Sequence, residues 1–317
     1  MKNPKVSIAM TTYNGETFLE EQLNSLLTQS FSDFELIICD DGSKDKTLKI
    51  LNEYSSQDKR IKIIENKENK GYAKNFLYAA SLCSGEFIFF ADQDDIWKKD
   101  KIEKMLQCMQ KSEKINLLIC KDIDFNDGEK LPKLRKQNDF HIYKIPSKKS
   151  LLNCAYRGLN FCLRKSFVDN VISYYDFKKW FPAHDWLFQI FATESKSIYK
   201  LNQILTFHRK HQNNTASINE DKTNRYTKRL SVLRNLITHY DWAFDVVKNK
   251  KMHSEIKKIK FYNFLRLKLS LSKVSIICFL YFVSAFMYAM IFNLPKKRLC
   301  GDFFVTAFEI MRGKNEK

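Results

Sequence analysis

The sequence predicts an α/β protein, a mostly parallel sheet with helices on both faces, continued by a helical and basic C-terminal extension. Three observations carry this reading. Short, nearly continuous apolar runs recur at 6–10 (VSIAM), 34–39 (FELIIC), 61–64 (IKII), 87–91 (FIFFA) and 116–120 (NLLIC). Between them apolar residues change to helical spacing, and strands that are apolar throughout and alternate with helices belong to parallel sheets covered on both sides. Beyond Asn214 the chain becomes Lys-rich and helical in pattern.

The first strand runs out into TTYNGE (11–16), where Asn14-Gly15 favours a tight turn. Leu19, Leu23, Leu26 and Leu27 then recur on one helical face, and Thr17-x-x-Glu20 predicts a capping box ahead of them. The second strand exits into DDGSKDKT (40–47), whose Asp45 suits a helix cap before Thr47. The third leads to NKGYAKN (69–75) and a helix through Ala73, Phe76, Leu77 and Ala80. The fourth exits into DQDD (92–95), followed by a helix through Ile102, Met105, Leu106 and Met109. Residues 121–180 are irregular in pattern, and 197–201 (SIYKL) with 204–209 (ILTFHR) predict a strand pair. No internal repeat and no Gly- or Pro-rich linker is visible. The expected division is a catalytic domain over 1–216 and an extension over 217–317.

A chain that is 44% hydrophobic and 14% aromatic can build a sizeable core, which excludes global disorder. The opening MKNPKVSIAM lacks the pattern of a secretory signal. Eight cysteines without a CxxC pair support neither a zinc site nor a disulfide scaffold and point to a reducing cytoplasm. The net charge of +18 divides as −4 over 1–100, +8 over 101–200 and +14 over 201–317. A basic C-terminal region fits a solvated surface or anionic lipid. Nucleic-acid binding is the rival suggested by charge alone, and no recognition motif accompanies it.

In parallel α/β sheets ligands bind beyond the carboxyl ends of the strands. Three exits there are polar and acidic. Asp92, Asp94 and Asp95 follow a core strand directly, where buried charge costs several kcal/mol unless it is compensated. A hard divalent cation, Mn²⁺ or Mg²⁺, would compensate them and would share its oxygen ligands with a phosphorylated substrate. The absence of a P-loop and of GxGxxG argues against an NTPase or a dinucleotide enzyme. Lys70 or Lys74 would then help to hold phosphate, unless each is an ordinary surface charge.

VSIAMTTYNGETFLEEQLNSLLTQSF, FELIICDDGSKDKT, NKGYAKN and FADQDDIW occur in this order over residues 6–97. Together they resemble the family-two nucleotide-sugar glycosyltransferases of the GT-A fold, and the DQDDIW form is most similar to bacterial rhamnosyltransferases. The resemblance covers residues 4–216. It implies a nucleotide-base contact at Asp41, with Asp40 beside it, and a pocket shared with Thr11 and Tyr13. It implies a DxD metal and diphosphate motif at Asp92-x-Asp94, and a catalytic base at Asp185, preceded by His184, in PAHDWLFQIFA (182–192). From the residues alone, His184-Asp185 reads equally as a helix N-cap. FHRKHQNN (207–214) resembles an active-site loop carrying His211, with His208 and Lys210 departing from the usual Tyr and Gln. YRGLNFCL (156–163) falls where the family builds its acceptor pocket.

The implied activity is inverting transfer from a dTDP- or UDP-sugar, rhamnose before hexoses such as glucose, to a lipid-linked glycan at the cytoplasmic face of the membrane, with oligomerisation left open. A metal-dependent nucleotidyltransferase is the enzymatic alternative, but TTYNGE lacks the Gly-rich basic loop of that class. Residues 274–294 are 21 consecutive uncharged residues. As one helix they would reach about 31 Å. Basic residues on both sides fit a hairpin or an interfacial helix better than a span; packing within protein is the remaining reading.

Overall fold

Val6–Thr12 (β1) lies between two parallel neighbours, Phe34–Asp40 (β2) and Phe87–Ala91 (β4). Ile61–Glu65 (β3) adds to β2, again in parallel. Every residue of β1, β2 and β4 is buried, as strands covered on both faces require. The covering helices are Leu19–Leu27 (α1), Thr47–Gln57 (α2), Tyr72–Leu82 (α3) and Lys101–Met109 (α4). This computed structural model describes residues 3–135, 137, 139–152, 156–174, 181–212, 214, 225–271, 275–300, 302–303 and 306.

The sheet continues with mixed polarity. Phe161–Arg164 (β8) is antiparallel to both β4 and Leu117–Asn126 (β6), and β6 pairs in parallel with Ile198–Lys210 (β9). The short strands Ile96–Trp97 (β5) and Ile142–Lys144 (β7) pair antiparallel with β9. The resulting order is β3-β2-β1-β4-β8-β6-β9-β5, with β7 on β9. Ser147–Leu152 (α5), Lys165–Tyr174 (α6) and His184–Glu194 (α7) accompany this half. One core cluster unites the leucines of α1, the Ile102, Met105, Leu106 and Met109 face of α4, and one face of β1, β2 and β4 (Val6, Ile8, Met10; Phe34, Leu36, Ile38; Phe87, Phe89, Ala91).

Two local expectations are corrected. The capping box does not form: α1 begins at Leu19 without a side-chain cap. The N–H groups of Phe18 and Leu19 bond instead to the Gly15 carbonyl at 3.2 and 3.1 Å, so a turn already feeds the helix. The expected pair 197–201 and 204–209 is one strand, β9. Asn202-Gln203 carries no glycine for a two-residue hairpin. The Asn202 N–H continues the edge pairing, to the His141 carbonyl at 3.0 Å, and the irregularity appears as register shifts opposite Ile119–Asp122 of β6.

The chain forms two compact units, Met1–His211 and Gln212–Lys317. The second contains Arg225–Val246 (α8), Lys250–Ser270 (α9) and Ser275–Ile291 (α10). Asn249 caps α9, its side chain accepting from the Lys251 and Met252 N–H groups. Leu265, Leu269, Ala285 and Leu299 form its core, beside which the buried guanidinium of Arg266 pairs with the buried Asp302. The expected 31 Å helix is shorter. α10 has 17 residues, about 26 Å, and the backbone turns at Asn293, whose φ is 49°. Val274 and the side chains of 275–279 lie outside the described residues. Among the described residues no helix is long and apolar enough to cross a membrane.

Candidate active site

The exits of β1, β2 and β4 are stitched into one surface. The N–H groups of Asn14, Gly15 and Glu16 donate to Ser43 Oγ (2.9 Å), Thr47 Oγ1 (2.8 Å) and Asp45 Oδ2 (3.0 Å). Gln93 sits in the middle of DQDD. Its Oε1 accepts the Tyr13 N–H at 2.8 Å while its Nε2 donates to the Tyr13 carbonyl at 3.0 Å. A Cβ at Gly15 would lie 2.3 Å from Gln93 Oε1, so this latch requires glycine there. The turn after β1 is thereby fixed to the loop after β4.

Asp40 is fully buried. It accepts from Thr12 Oγ1 (2.8 Å), Ser43 Oγ (2.6 Å) and the N–H groups of Gly42 (3.1 Å) and Ser43 (2.8 Å). Those bonds make it the keystone of the DDGS turn. Asp41 gathers the loop ahead of α3, accepting from Asn66 Nδ2 (2.8 Å) and the N–H groups of Lys70 (2.8 Å) and Gly71 (2.9 Å). Thr11 is buried beside them, whereas Tyr13 is 51% exposed. Lys74 is exposed on the first turn of α3, and the Lys70 ammonium lies 5.0 Å from the Tyr78 ring centre.

Asp94 Oδ2 and His211 Nε2 are 2.9 Å apart, and the His211 ring packs on Phe18 with centroids 4.5 Å apart. Asp95 is buried. One oxygen accepts the Arg209 N–H at 3.1 Å and the other has no partner. Nothing in the sequence order beside the aspartates marks a fixed protein cation, yet the structure supplies two. Arg209 is buried between the Phe18 and Phe125 rings, 4.8 Å from each centre. Its Nε donates to the Asp94 carbonyl (3.0 Å), Nη1 to Asp127 (3.1 Å) and Nη2 to Glu21. Lys101 is fully buried under the Trp97 ring, with its ammonium 3.4 Å from the ring centre, and it donates to the Leu159 carbonyl (2.7 Å) and Thr206 Oγ1 (3.0 Å). Burial pushes its pKa down to about 8.

Negative charge still crowds this loop. Burial, and then the charges of Asp94 and Asp185, push Asp92 up to about 7. Burial and the neighbouring aspartates push Asp95 well above the carboxylate range. Asp94 and His211 are in contact and the Asp94 charge is felt at Asp92, a surplus of negative charge of the kind a divalent cation compensates.

A second group, Asp122, Asp124 and His208, has its possible ligand atoms within 4.8 Å of one another. The Arg157 guanidinium pairs with both carboxylates, and Lys210 pairs with Asp124 at 2.6 Å. Burial opposes ionisation of Asp124, but the hydrogen bonds from Lys210, Arg157 and His208 hold its carboxyl well below the usual range. This is an ion-pair knot that carries its own cations.

Asp185 stands in the first turn of α7, one residue beyond His184. Ala183, extended and without a side-chain bond, occupies the cap. Asp185 Oδ1 accepts the Trp186 N–H at 2.7 Å. Burial pushes its carboxyl up to about 6, opposed by backbone N–H groups that include Gly158. Its charge is felt at Asp92 and at the Tyr72 hydroxyl, so β4, α3 and α7 converge on one point. His184 lies beneath, 6% exposed, stacked on Phe76 (4.0 Å) and edge-on to Phe90 (5.0 Å). Neither ring nitrogen has a partner, and burial pushes its pKa down to about 3, so the ring is neutral. A Cβ on Gly158 would lie 2.5 Å from His184 Nε2.

Sequence reasoning missed Lys101, Gln93, Gly158 and the role of Arg209. Only Arg209 left a signal. In β9 Leu201, Gln203, Leu205, Phe207 and Arg209 are buried at alternate positions, so a period-two reading turns the arginine inward.

An acidic loop beyond a parallel strand, with a carboxylate on α7 whose charge reaches that loop, is the arrangement to set beside known proteins. The family model described as Glycosyl transferase family 2 matches residues 7–170. The dTDP-rhamnosyl transferase RfbG of Shigella flexneri is 31% identical over 242 residues, 71% of this chain and 79% of that protein. The chain belongs to glycosyl transferase family 2. Among solved structures, S. aureus TarS 1-349 in complex with UDP-GlcNAc shares the fold with a TM-score of 0.61 at 21% identity, over 86% of this chain and 74% of that one. The mannosyltransferase PcManGT from Pyrobaculum calidifontis, in complex with GDP-Man and Mn²⁺, has a TM-score of 0.57 at 15% identity, over 98% and 88%. Several other bacterial relatives are matched over only 36% to 60% of their length.

Proposed function

We propose that this enzyme is an inverting, metal-dependent transferase that moves a sugar, rhamnose before hexoses, from a dTDP- or UDP-linked donor to a lipid-linked glycan during surface polysaccharide synthesis. The observation that carries the reading is the half-buried Asp185 carboxylate, pushed up to about 6 and electrically in touch with Asp92. Asp92, Asp94 and His211 would hold Mn²⁺ or Mg²⁺, which when bound supplies charge compensation for the departing diphosphate. Asp41, Thr11 and the exposed Tyr13 ring bound the nucleotide pocket, Asp40 shapes it, and Lys74 stands at its rim. His184 supports Asp185 from below. Asp185 takes the proton of the acceptor hydroxyl as that oxygen bonds to the anomeric carbon, while the bond from that carbon to the diphosphate oxygen breaks on the opposite face. The configuration therefore inverts.

Work at the inner membrane surface is supported by the second unit. Leu280, Val283, Met287, Met290 and Ile291 form an exposed apolar stripe on α10, and Lys296, Lys297 and Arg298 follow it, an arrangement suited to an anionic interface.

The test is a panel of dTDP-rhamnose, UDP-glucose and UDP-galactose, each with a lipid-diphosphate-linked sugar and Mn²⁺, with and without EDTA. Release of nucleoside diphosphate should be highest with dTDP-rhamnose and should stop with EDTA. Metal-independent release, or none from any donor, refutes the reading.

A further inference from the structure

A cavity of about 450 Å³ opens along β6 and β9, outside the DQDD loop, lined by residues that include Asp122, Asp124, Tyr156, Arg157 and Lys200. Its size is that of a small-ligand site. The ionic groups on its wall are unevenly matched. Arg157 is committed to Asp122 and Asp124, and Asn160 adds a hydrogen bond to Asp122 at 2.8 Å. Lys200 has no ion-pair partner among the described residues; its ammonium lies 5.2 Å from the Tyr156 ring centre. Burial first and then the Lys121 charge lower its pKa, Asp122 pulls the other way, and Lys149 adds a smaller push downward.

Lys200 is thus a cation on the cavity wall without an ion-pair partner among the described residues, and it feels the further positive charge of Lys121 and Lys149, so a bound anion would relieve repulsion there. The cavity also adjoins the reaction centre. The Arg157 charge is felt at Asp92, and the next residue, Gly158, turns its N–H toward Asp185.

We propose that this cavity is an acceptor subsite for an oxyanion, phosphate or carboxylate, carried by the acceptor next to the sugar that receives the transfer, with Lys200 as its principal cation and the Tyr156 ring as a face for the sugar. The inference rests on the proposed glycosyl transfer and makes the acceptor an anionic glycan.

The experiment uses the full chain saturated with Mn²⁺ and dTDP, titrated calorimetrically with glucose 1-phosphate, glucuronate and glucose. One or both anionic probes should bind roughly tenfold more tightly than glucose, the scale of one charge-assisted hydrogen bond. A preference for glucose 1-phosphate alone identifies a phosphate-bearing acceptor, and one for glucuronate alone a uronate. Lys200→Met, with its thermal melt checked, should bring the three probes together, while Lys114→Met, an exposed lysine outside the cavity lining, should not. Equal binding of the three probes to the wild type overturns the proposal, as does an undiminished preference in Lys200→Met. Failure of dTDP to bind with Mn²⁺ counts against the donor assignment alone, and the same titrations without nucleotide still decide the subsite.

Discussion

At the scale of single residues the candidate site turns on one carboxyl, Asp185, whose pKa is raised. A carboxyl at about 6 is basic enough to take a proton and still charged at neutral pH. The sign follows from the proposed base role, which needs the ionised form. kcat/KM should therefore fall about tenfold per pH unit below about 6, read from a pH–rate profile. Asp185→Asn keeps an acceptor for the Trp186 N–H but cannot take a proton. Its kcat should fall by about 10²- to 10⁴-fold with donor binding intact. Its melting temperature at pH 8 should not fall. A folded-state pKa raised above 3.8 means that the native protein binds the extra proton between 3.8 and about 6. Stability is lost as pH rises through that window, and the neutral amide avoids the loss. Gly158→Ala tests the support beneath. Its methyl would meet His184 Nε2, so kcat should drop at least tenfold while nucleotide affinity, measured by calorimetry, stays within twofold. Unchanged kcat would mean that the ring can yield without moving Asp185.

At the scale of elements, β9 does more than its sequence suggests. Its end holds the DQDD loop through Arg209, whose guanidinium fits between two rings and reaches three oxygen acceptors. Lysine cannot reproduce that fork. Arg209→Lys should lower the melting temperature by several degrees, consistent with about 2 kcal/mol, and weaken Mn²⁺ binding; an unaltered melt would show the clamp to be redundant. The parallel strands and α1, α3 and α4 were legible because their patterns are local: nearly continuous apolar runs and i, i+3, i+4 spacing. Thr17-x-x-Glu20 misled because Gly15 reaches the helix start first. SIYKL and ILTFHR misled because a bulge looks like a gap between two strands when only one chain of the pair is read.

At the scale of the whole molecule, the acidic turns could be placed on one edge from sequence, since parallel strands deliver their exits to the same side. Lys101 and the His184 slot could not. Their meaning depends on Leu159, Thr206, Phe76 and Phe90, brought in from distant segments by the mixed half of the sheet. The second unit carries a prediction of its own. The protein should sediment with phosphatidylglycerol-rich vesicles at low salt and be released as salt rises. Leu280→Glu with Met287→Glu should abolish sedimentation and leave hydrolysis of soluble donor unchanged. Sedimentation that survives both charges would move the contact elsewhere.

The continuity of β9 also bears on how such a chain can vary. From Thr206 to Lys210 the pairing with β6 is regular, so His208 and Arg209 point to opposite faces, whereas the register shifts fall between Lys200 and Thr206. Removing one residue from the regular stretch would turn the arginine outward and carry His208 away from Asp124. The stretch between Lys200 and Thr206 already holds extra residues opposite β6 and can absorb such a change. Length differences among descendants of this chain should therefore collect in the loops on either side of β9 or at its register shifts, and leave 206–210 uninterrupted.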